Sequence, residues 1–496
     1  MNQSLYEAVI GLECHVQLQT QSKAFSGAKN SFGAPPNSLT DEYTLALPGT
    51  LPVFNEKVVD AAVSFGLAVG SRIRTISRFA RKHYFYPDLP KGYQITQHEE
   101  PLCEGGAIEF WFQGVKSKIP LTRIHLEEDA GKNLHLGGGR SSLVDFNRAG
   151  VPLIEIVSEP AIRSAEEAAD YLRAIRQLVR FLGISDGNMD EGSLRCDANV
   201  SVRKKGDTRL GTKVELKNIN SFKFVQKAIE FEIERQIEKL SHGEVILQET
   251  RGFDSLRGVT RSQRQKEEAK DYRYFIDPDL PPLSVPQHRI DELMTTLKET
   301  PIQRKDRYMI ELGLTEYDAG VLTAEKELGD FFNAVLTHLP YATTEEKKGF
   351  ASLAVNWLCS ELLGLLNQEG KSIIGSPVTP NQLAQLLLKL KQSLLTGKMA
   401  KEVFAQMYTT GASVEEIIAQ KNLVVVNDES TLESICESII QDAEHAKQVE
   451  KYLAGQERVF GYFVGLVMKK TQGRANPEMV NMILKKLLAK KAPLLT

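Results

Sequence analysis

The sequence predicts an α+β protein in which a sheet-rich first part precedes an all-helical second part. Segments that alternate apolar and polar residues, which is typical of half-buried strands, fall before a cluster of prolines. Almost everything after that cluster has the helical period. Because Pro278, Pro281, Pro282 and Pro286 can continue neither a helix nor a central strand, they mark a domain boundary.

Length and composition exclude several classes of protein. The 496 residues predict two to four domains, since a typical domain has ~150 residues. A net charge of −3 with 42% hydrophobic residues is typical of a globular protein. Global disorder and an overall basic nucleic-acid-binding surface are therefore excluded.

The cysteines and the apolar segments predict a cytoplasmic protein with no membrane contact. The five cysteines are scattered and form no C-x-x-C pair, which argues against a disulfide framework and a cysteine zinc site. The N-terminus lacks the features of a signal or transit peptide. The most apolar window, 351–366, falls short of the ~20 residues of a bilayer span and predicts a buried helix.

Three segments predict strands that have one buried and one polar face. They are 8–19, 196–203 and 212–217, each with period-two alternation. The polar linker 204–211 predicts that the last two form a hairpin, which would bring their polar faces together. These polar faces carry Glu13 and His15, then Asp197, Ser201 and Arg203, and finally Lys213, Glu215 and Lys217.

Capping signals predict the helices. Ser164, followed three residues later by a glutamate, has the pattern of a capping box at the start of an amphipathic segment. Residues 222–240 predict a second amphipathic helix. Thr379 before Pro380 predicts a helix that begins with an N-cap and proline at N1 and continues up to Gly397.

The C-terminal segment 451–496 is basic, with nine basic and two acidic residues and a net charge of +7. Such a field attracts a phosphate backbone. A solvated helical face explains the same charges. The composition alone leaves both interpretations open.

The usual nucleotide-binding and hydrolase motifs are absent from the sequence, including G-x-G-x-x-G after a strand, a Walker loop, G-x-S-x-G and H-E-x-x-H. Carboxylates and basic residues instead cluster on the predicted strands. Because carboxylates and substrate phosphates hold Mg²⁺ while Arg and Lys neutralise phosphate oxygens, a kinase-like site on the sheet is chemically sensible. The alternative is a solvated sheet face with salt bridges at its rim. The carboxylates concerned are Glu13, Glu127, Glu128, Asp129, Asp190, Glu191, Asp197 and Glu215.

Several motifs in one order resemble a single family along nearly the whole chain. They are GLECHVQL at 11–18, LPGTLPV at 47–53, YFYPDLPKGY at 84–93, HLEEDAGK at 125–132, VDFNRAG at 144–150, GSLRCDANVS at 192–201, DYRYF at 271–275 and the tail segment 461–477. Together they resemble the B subunits of the aspartyl/glutamyl-tRNA amidotransferases.

The resemblance implies a ligase that works as a heterotrimer, in which the B subunit has two partners, an amidase called the A subunit and a small C subunit. The amidase would release ammonia from glutamine, since no amidase signature occurs in this sequence. The B subunit would use ATP to activate the side-chain carboxylate of Glu-tRNA(Gln), Asp-tRNA(Asn) or both. Ammonia would then displace phosphate from the acyl phosphate.

The resemblance also implies a fold and its divisions. We expect a cradle of antiparallel strands, like that of glutamine synthetase, over residues 1–290. A helical domain over 291–405 and a small helical tail that contacts tRNA over 406–496 would follow. Some family members hold zinc through cysteines near residues 25–51, and because this segment contains none we predict no zinc.

The resemblance implies the site residues as well. The Mg²⁺ site would be lined by Glu13, His15, Glu128 and Glu215, with Asp197 close by, and ATP or the acyl phosphate would be contacted by Ser201, Arg203 and Lys217. Strand alternation by itself places Glu127, and not Glu128, with Arg123 and His125. The choice between Glu127 and Glu128 is open at this point.

Two other functions are compatible with parts of the sequence. A non-catalytic tRNA-binding scaffold would not be expected to contain Glu13 and Glu215, and both are present. A ligase that acts on free glutamate would need the same site but no tRNA. Dependence of the activity on tRNA distinguishes these functions.

Overall fold

The computed structural model describes residues 5–135, 141–265, 272–297, 299–426 and 428–491. The chain forms two compact units, Met1–Arg304 and Lys305–Thr496. The first unit combines a large sheet with helices, and the described part of the second is built of helices. The predicted order of an α+β part followed by a helical part is therefore confirmed.

Most strands of the first unit belong to one continuous sheet. Its helices are α1 (Glu56–Ala68), α2 (Ala165–Phe181), α3 (Phe222–Ser241) and α4 (Gln287–Thr296). Its strands are β1 (Tyr6–Gln17), β2 (Arg72–Ile73), β3 (Ile76–Ser77), β4 (Ala80–His83), β5 (Tyr93–Thr96), β6 (Cys103–Glu104), β7 (Ala107–Phe112), β8 (Val115–Glu128), β9 (Lys132–His135), β10 (Ser142–Asp145), β11 (Pro152–Ser158), β12 (Leu194–Lys204), β13 (Val214–Lys217), β14 (Glu249–Asp254), β15 (Val259–Gln265), β16 (Phe275–Ile276) and β17 (Leu283–Ser284).

The main sheet is mixed, with β1 near its centre. Its strands follow the order β15-β14-β13-β12-β1-β11-β8-β5-β4-β16. Strand β1 pairs antiparallel with β12 on one side and with β11 on the other. The expectation of an antiparallel sheet is wrong at one place, because β13 and β14 run parallel. Helix α3 provides the long connection that a parallel pair requires.

The period-two pattern of β1 separates an apolar face from a polar one. Ile10, Leu12, Cys14 and Val16 are fully buried on the apolar face. The strand spans Tyr6–Gln17, two residues earlier than the predicted 8–19 at each end. The hairpin predicted for the two other alternating segments is confirmed, since β12 and β13 pair antiparallel.

Helices α2 and α3 pack against each other, and α3 packs against β12. Ser164 caps α2 by accepting a hydrogen bond from the backbone N–H of Glu167. The predicted capping box is only half formed, because the Glu167 carboxylate accepts from the N–H of Arg163 instead of that of the cap. Side chains such as Leu172 and Ile175 place the apolar face of α2 in the core. These helices cover apolar residues, so the polar face of the strands stays available for a site.

The second unit consists of helices around two apolar clusters, one spanning Tyr308 to Val425 and the other Leu432 to Leu488. The helices that build it are α5 (Pro301–Ile310, which begins in the first unit), α6 (Glu316–Thr323), α7 (Lys326–Thr337), α8 (Thr344–Trp357), α9 (Leu363–Gln368), α10 (Pro380–Lys391), α11 (Gly397–Thr410), α12 (Val414–Gln420), α13 (Glu429–Gln441), α14 (Ala446–Leu453), α15 (Phe460–Lys470) and α16 (Pro477–Lys491).

Two sequence expectations for this unit need correction. Helix α10 ends at Lys391 and not near Gly397, because the backbone turns at Ser393, whose φ is +56°. Helices α8 and α9 are joined by a π-helical turn at Leu358–Leu362 into one 25-residue helix, Thr344–Gln368. This helix is long and apolar enough to cross a membrane, contrary to the expectation from 351–366 alone. Its buried side chains nevertheless belong to the first apolar cluster of this unit.

We predict that the contact of α2 with the sheet is a main source of stability for the first unit. Leu172→Ala should lower the free energy of unfolding by about 2–5 kcal/mol, since Leu172 is fully buried. The neighbouring Arg173→Ala should change it by less than about 0.5 kcal/mol, because Arg173 is exposed. Urea unfolding followed by Trp111 fluorescence in a Trp357→Phe background would measure both. Equal effects would contradict this account of the core.

Candidate functional site

The polar face of the sheet forms an open cleft of about 420 Å³. Most of its lining residues come from the strands β1, β4, β5, β8, β11, β12, β13 and β14, and the rest come from the segments that follow β5 or precede β13 and β16. Acidic, basic and imidazole side chains all line it. The charged and imidazole groups that line it are Glu13, His15, Lys82, His98, Arg123, His125, Glu127, Glu155, Asp197, Lys213, Glu215 and Lys217.

The register of β1 decides which side chains meet in the cleft. His15 lies directly opposite Glu155 of β11, and Glu13 lies directly opposite Asp197 of β12. Glu155 in turn lies opposite His125 of β8. Directly opposite residues in an antiparallel pair point to the same face of the sheet. Four strands, β8, β11, β1 and β12, therefore bring one row of acidic and imidazole side chains together.

Two imidazoles and two carboxylates form a compact cluster within this row. His15 Nε2 lies 3.4 Å from an oxygen of Glu155 and 3.9 Å from an oxygen of Glu127. His125 Nε2 lies 3.2 Å from Glu155 and 3.4 Å from Glu127. His125 and Glu127 are almost completely buried, whereas the His15 side chain is 20% exposed. All four side chains line the cleft, and His15 is the most exposed of them.

The charges in the cluster stabilise one another. Burial opposes protonation of His125, but Glu155 and Glu127 outweigh it and raise the pKa of His125 to about 9. The pKa of His15 is raised for the same reason. Burial acts to raise the pKa of Glu155, but the two imidazoles hold this pKa well below its usual range. Glu155 is therefore an anion held between two imidazoles.

Glu127 is fixed in place from a neighbouring strand. Thr96 Oγ1 donates to one carboxylate oxygen at 2.7 Å, and Gln94 Nε2 donates to the other at 3.0 Å. The charge of Lys82 lowers the pKa of Glu127 against the effect of burial. Hydrogen bonds that leave a carboxylate no freedom to turn also fix where its lone pairs point. Glu127 is thus a preorganised member of the cluster.

Glu128 is not brought to this cluster. It follows Glu127 on β8, so its side chain points to the opposite face of the sheet. There it is buried, forms an ion pair with Lys91 and accepts a 2.9 Å hydrogen bond from the backbone N–H of Ile95. The structure therefore places Glu127, the alternative that strand alternation favoured, beside His15.

A second group of charges lies on the β12–β13 side of the cleft. Lys217 Nζ donates to Asp197 at 2.7 Å and lies 3.5 Å from Glu215. These two carboxylates raise the pKa of Lys217 despite its burial. Thr250 Oγ1 of β14 donates to Glu215 at 2.8 Å. Asp197, Glu215 and Lys217 are therefore brought together, as the hairpin predicted.

Glu13 joins the two groups. Asn199 Nδ2 donates to its carboxylate at 2.8 Å. The pKa of Glu13 is raised by burial and by the charges of Glu155, Asp197 and Glu215. A carboxylate surrounded by other carboxylates is a group that a bound cation would stabilise.

Ser201 and Arg203 lie on β12 away from this row. Ser201 is buried, and its hydroxyl donates to the backbone oxygen of Val9 at 3.3 Å. Arg203 Nε donates to Glu7 at 2.6 Å. Because Val9 and Glu7 precede Glu13 by four and six residues on β1, the structure does not bring Ser201 and Arg203 to the cleft.

One set of side chains in the described part of the chain has the geometry of a metal site. His15, Glu127 and Glu155 each offer a ligand atom, and these atoms lie within 4.8 Å of one another. Two carboxylates and one imidazole are donors that divalent cations accept. Of this set, the sequence prediction named His15 as a ligand and left Glu127 open.

Glu155 and Lys82 were missed as site residues by reasoning from the sequence. Glu155 is the single charged residue within the apolar strand β11, PLIEIVS. A lone carboxylate in an apolar strand signals a polar face, because its neighbours on the strand point the other way. Lys82 lies on β4.

Comparison with known proteins identifies the family. Residues 8–291 match the family model described as the GatB/GatE catalytic domain, and residues 341–488 match the GatB domain. Curated relatives named as the B subunit of aspartyl/glutamyl-tRNA(Asn/Gln) amidotransferase match almost end to end. The relative from Nitrosococcus oceani is 50% identical over 98% of this chain and 100% of its own length. The relative from Geotalea daltonii is 51% identical over 97% and 99%, respectively.

The match to the catalytic-domain model covers more than half of the chain and contains every residue of the cleft. The relatives extend the similarity through both compact units. The chain therefore belongs to the family of B subunits of the aspartyl/glutamyl-tRNA(Asn/Gln) amidotransferases.

Proposed function

We propose that this chain carries the site at which a tRNA-dependent amidotransferase activates and amidates an aminoacyl side chain. Glu-tRNA(Gln), Asp-tRNA(Asn) or both would be the substrates, and ATP the co-substrate. The observation that carries the proposal is the single row of His15, Glu155, His125 and Glu127 in a cleft of the domain matched as catalytic.

The reaction requires a carboxylate to become an electrophile. The substrate carboxylate attacks the γ-phosphorus of ATP, the bond to ADP breaks, and an acyl phosphate forms. Ammonia then attacks the acyl carbon, and phosphate leaves. Charge on the transferred phosphoryl group has to be neutralised throughout. Among the described residues, Lys217 and Arg123 face the cleft and would serve this purpose.

The donor set fits a divalent cation such as Mg²⁺. His15, Glu127 and Glu155 would hold it, since their ligand atoms lie within 4.8 Å of one another. Bound there, the cation would supply positive charge to phosphate oxygens. Five carboxylates line the cleft, and a cation bound among them would offset part of their charge toward an anionic substrate. Glu13 and Glu215 would contribute negative charge next to this set.

The proposal keeps two expectations in modified form. Of the residues expected to contact ATP or the acyl phosphate, Lys217 stays a candidate because it lines the cleft, whereas Ser201 and Arg203 do not line it. A glutamine-synthetase-like cradle is supported by a sheet with helices on its apolar face and an open polar face. The parallel β13–β14 pair is a departure from the simple antiparallel form.

Ammonia would come from partner subunits. We infer an amidase that is the A subunit of the complex, because this sequence contains no amidase signature, and a small C subunit, which the family resemblance implies. The relatives' common name, which designates a B subunit, supports a multi-subunit enzyme. Work in translation on tRNA makes a cytoplasmic location the natural proposal for this complex.

The test is release of labelled phosphate from γ-³²P-ATP by the chain co-expressed with its amidase and small partner subunits. Release should depend on misacylated tRNA, since the carboxylate that accepts the phosphoryl group is attached to it. Glu13→Gln and His15→Ala should each lower release and amide formation roughly 100-fold or more while leaving the complex assembled. Size-exclusion chromatography checks assembly.

Three outcomes would contradict parts of this assignment. Release without tRNA would favour a ligase that acts on free glutamate. An intact complex that releases no phosphate under any condition would favour a non-catalytic scaffold. Wild-type rates of phosphate release and amide formation in both variants would show that Glu13 and His15 take no part in the reaction.

The tail supports a contact with tRNA. We propose the divisions 1–290, 291–405 and 406–496 for catalytic, helical and tRNA-contacting parts. On α16 the buried leucines and isoleucine alternate with the exposed Lys485, Lys486 and Lys490. Lys491 is partly engaged, since its Nζ donates to the backbone oxygen of Ile440 at 3.1 Å. A basic face on a helix with a buried opposite face suits a phosphate backbone.

Replacement of Lys485, Lys486, Lys490 and Lys491 by Glu should weaken tRNA binding. Each lost phosphate contact should also reduce the slope of log K against log salt by about 1. Filter binding at several salt concentrations measures both quantities. The matched control, Lys204→Glu with Lys205→Glu, reverses two exposed charges at the end of β12 and in the turn after it, and should change neither. An unchanged slope in the tail variant would show that the basic residues of the tail form only a solvated helical face.

A further inference from the structure

A second cavity of about 320 Å³ adjoins the cleft and has the opposite charge balance. The two share His15, Lys82, Glu127, Asp197 and Lys217 in their walls. Four Lys and Arg side chains and three carboxylates line the second cavity, whereas carboxylates are in excess in the first. A cavity lined by more cationic than anionic side chains fits an anion.

An arginine pair gives the second cavity its excess charge. Arg195 Nη2 donates to an oxygen of Asp129 at 2.8 Å, and Arg148 Nε lies 3.6 Å from the same oxygen. Arg148 is further held by the backbone oxygens of Ala130 and Gly131, at 3.0 and 2.6 Å. The carboxylate of Asp129 and the backbone of Ala130 and Gly131 thus hold the two guanidinium groups close together.

The carboxylate of Asp129 cannot accept hydrogen bonds from all the N–H donors of Arg148 and Arg195. Asp129 is buried, and the same oxygen that binds both arginines also accepts a hydrogen bond from Gln17 Nε2 at 2.8 Å. A guanidinium has five N–H donors. The Nε of Arg195 is buried and has no hydrogen-bond partner within the described residues. Donor capacity and one positive charge therefore remain at the wall of the cavity.

We propose that Arg148 and Arg195, positioned by Asp129, form a binding subsite for a phosphate group of a substrate. Paired guanidinium groups bind phosphate through several charge-assisted hydrogen bonds. The source of the phosphate rests on the proposed function, in which both substrates carry one: the 3′-terminal nucleotide of the aminoacyl-tRNA and ATP. The shared wall places this phosphate next to the row of His15 and Glu127, where the carboxylate would react.

The test compares Arg148→Gln and Arg195→Gln with Arg257→Gln in the assembled complex. Arg257 is exposed in the turn between β14 and β15 and lines neither cavity. Each cavity variant should raise KM roughly tenfold or more for the substrate whose phosphate is bound. A rise for aminoacyl-tRNA alone identifies the tRNA phosphate, and a rise for ATP alone identifies the nucleotide. Arg257→Gln should change neither KM.

Circular dichroism and thermal melting check that the variants fold. Arg195→Lys keeps the positive charge and should restore part of the lost affinity, which a purely structural role would not predict. Wild-type KM values for both substrates in folded Gln variants would overturn the subsite.

A binding measurement separates this proposal from the proposed function. Pyrophosphate is titrated calorimetrically into the full chain in buffer with EDTA, so that binding does not depend on a metal ion. Saturable binding that Arg195→Gln weakens at least tenfold supports the subsite even if the wild-type complex shows no tRNA-dependent activity. No saturable binding to the wild-type chain would overturn the subsite whether or not the complex is active.

Discussion

The pairing of β1 with β11 and β12 is the constraint on which the site depends. It sets His15 opposite Glu155 and Glu13 opposite Asp197. A shift of this register by one residue would turn Glu13 and His15 into the core and bring Leu12 and Cys14 to the cleft. The apolar face prevents that shift, since Leu12 and Cys14 are fully buried against the core that includes α2 and α3. Hydrophobic burial on one face thereby fixes polar geometry on the other.

Electrostatic pairing lowers the free-energy cost of burying charged groups on the polar face of the sheet. An isolated buried charge is costly, so buried carboxylates require partners. Glu155 has two imidazoles, Glu127 has Thr96 and Gln94, and Asp129 has two arginines. What remains unbalanced is functional in our account. The surplus of carboxylates on one side suits a metal ion, and the surplus of cations on the other suits phosphate.

Much of this arrangement could be predicted from the sequence, because period-two alternation reports directly on which face a side chain occupies. It placed Glu13 with His15, and it favoured Glu127 over Glu128. The family resemblance implied Glu128, which strand alternation did not support. The structure separates them by strand geometry, since neighbours on a strand point to opposite faces.

The rest depended on pairing between distant segments, which a local pattern does not contain. Glu155 reaches His15 only because β11 is the neighbour of β1, and nothing in PLIEIVS specifies that neighbour. The same applies to the parallel β13–β14 pair and to the joining of Arg148 and Arg195 through Asp129. Ser201 and Arg203 shared the correct face of β12 with Asp197, but position along the strand carried them away from the cleft.

The central claim is that the cluster around His15 is a metal site, and a Mn²⁺ titration of the full chain followed by electron paramagnetic resonance tests it directly. The account predicts one Mn²⁺ site in the wild-type chain that is weakened at least tenfold in Glu155→Gln and in Glu127→Gln. Glu128→Gln should bind Mn²⁺ as the wild type does, because its side chain lies on the other face of the sheet. Unchanged binding in Glu155→Gln and Glu127→Gln, or loss of binding in Glu128→Gln alone, would contradict the account.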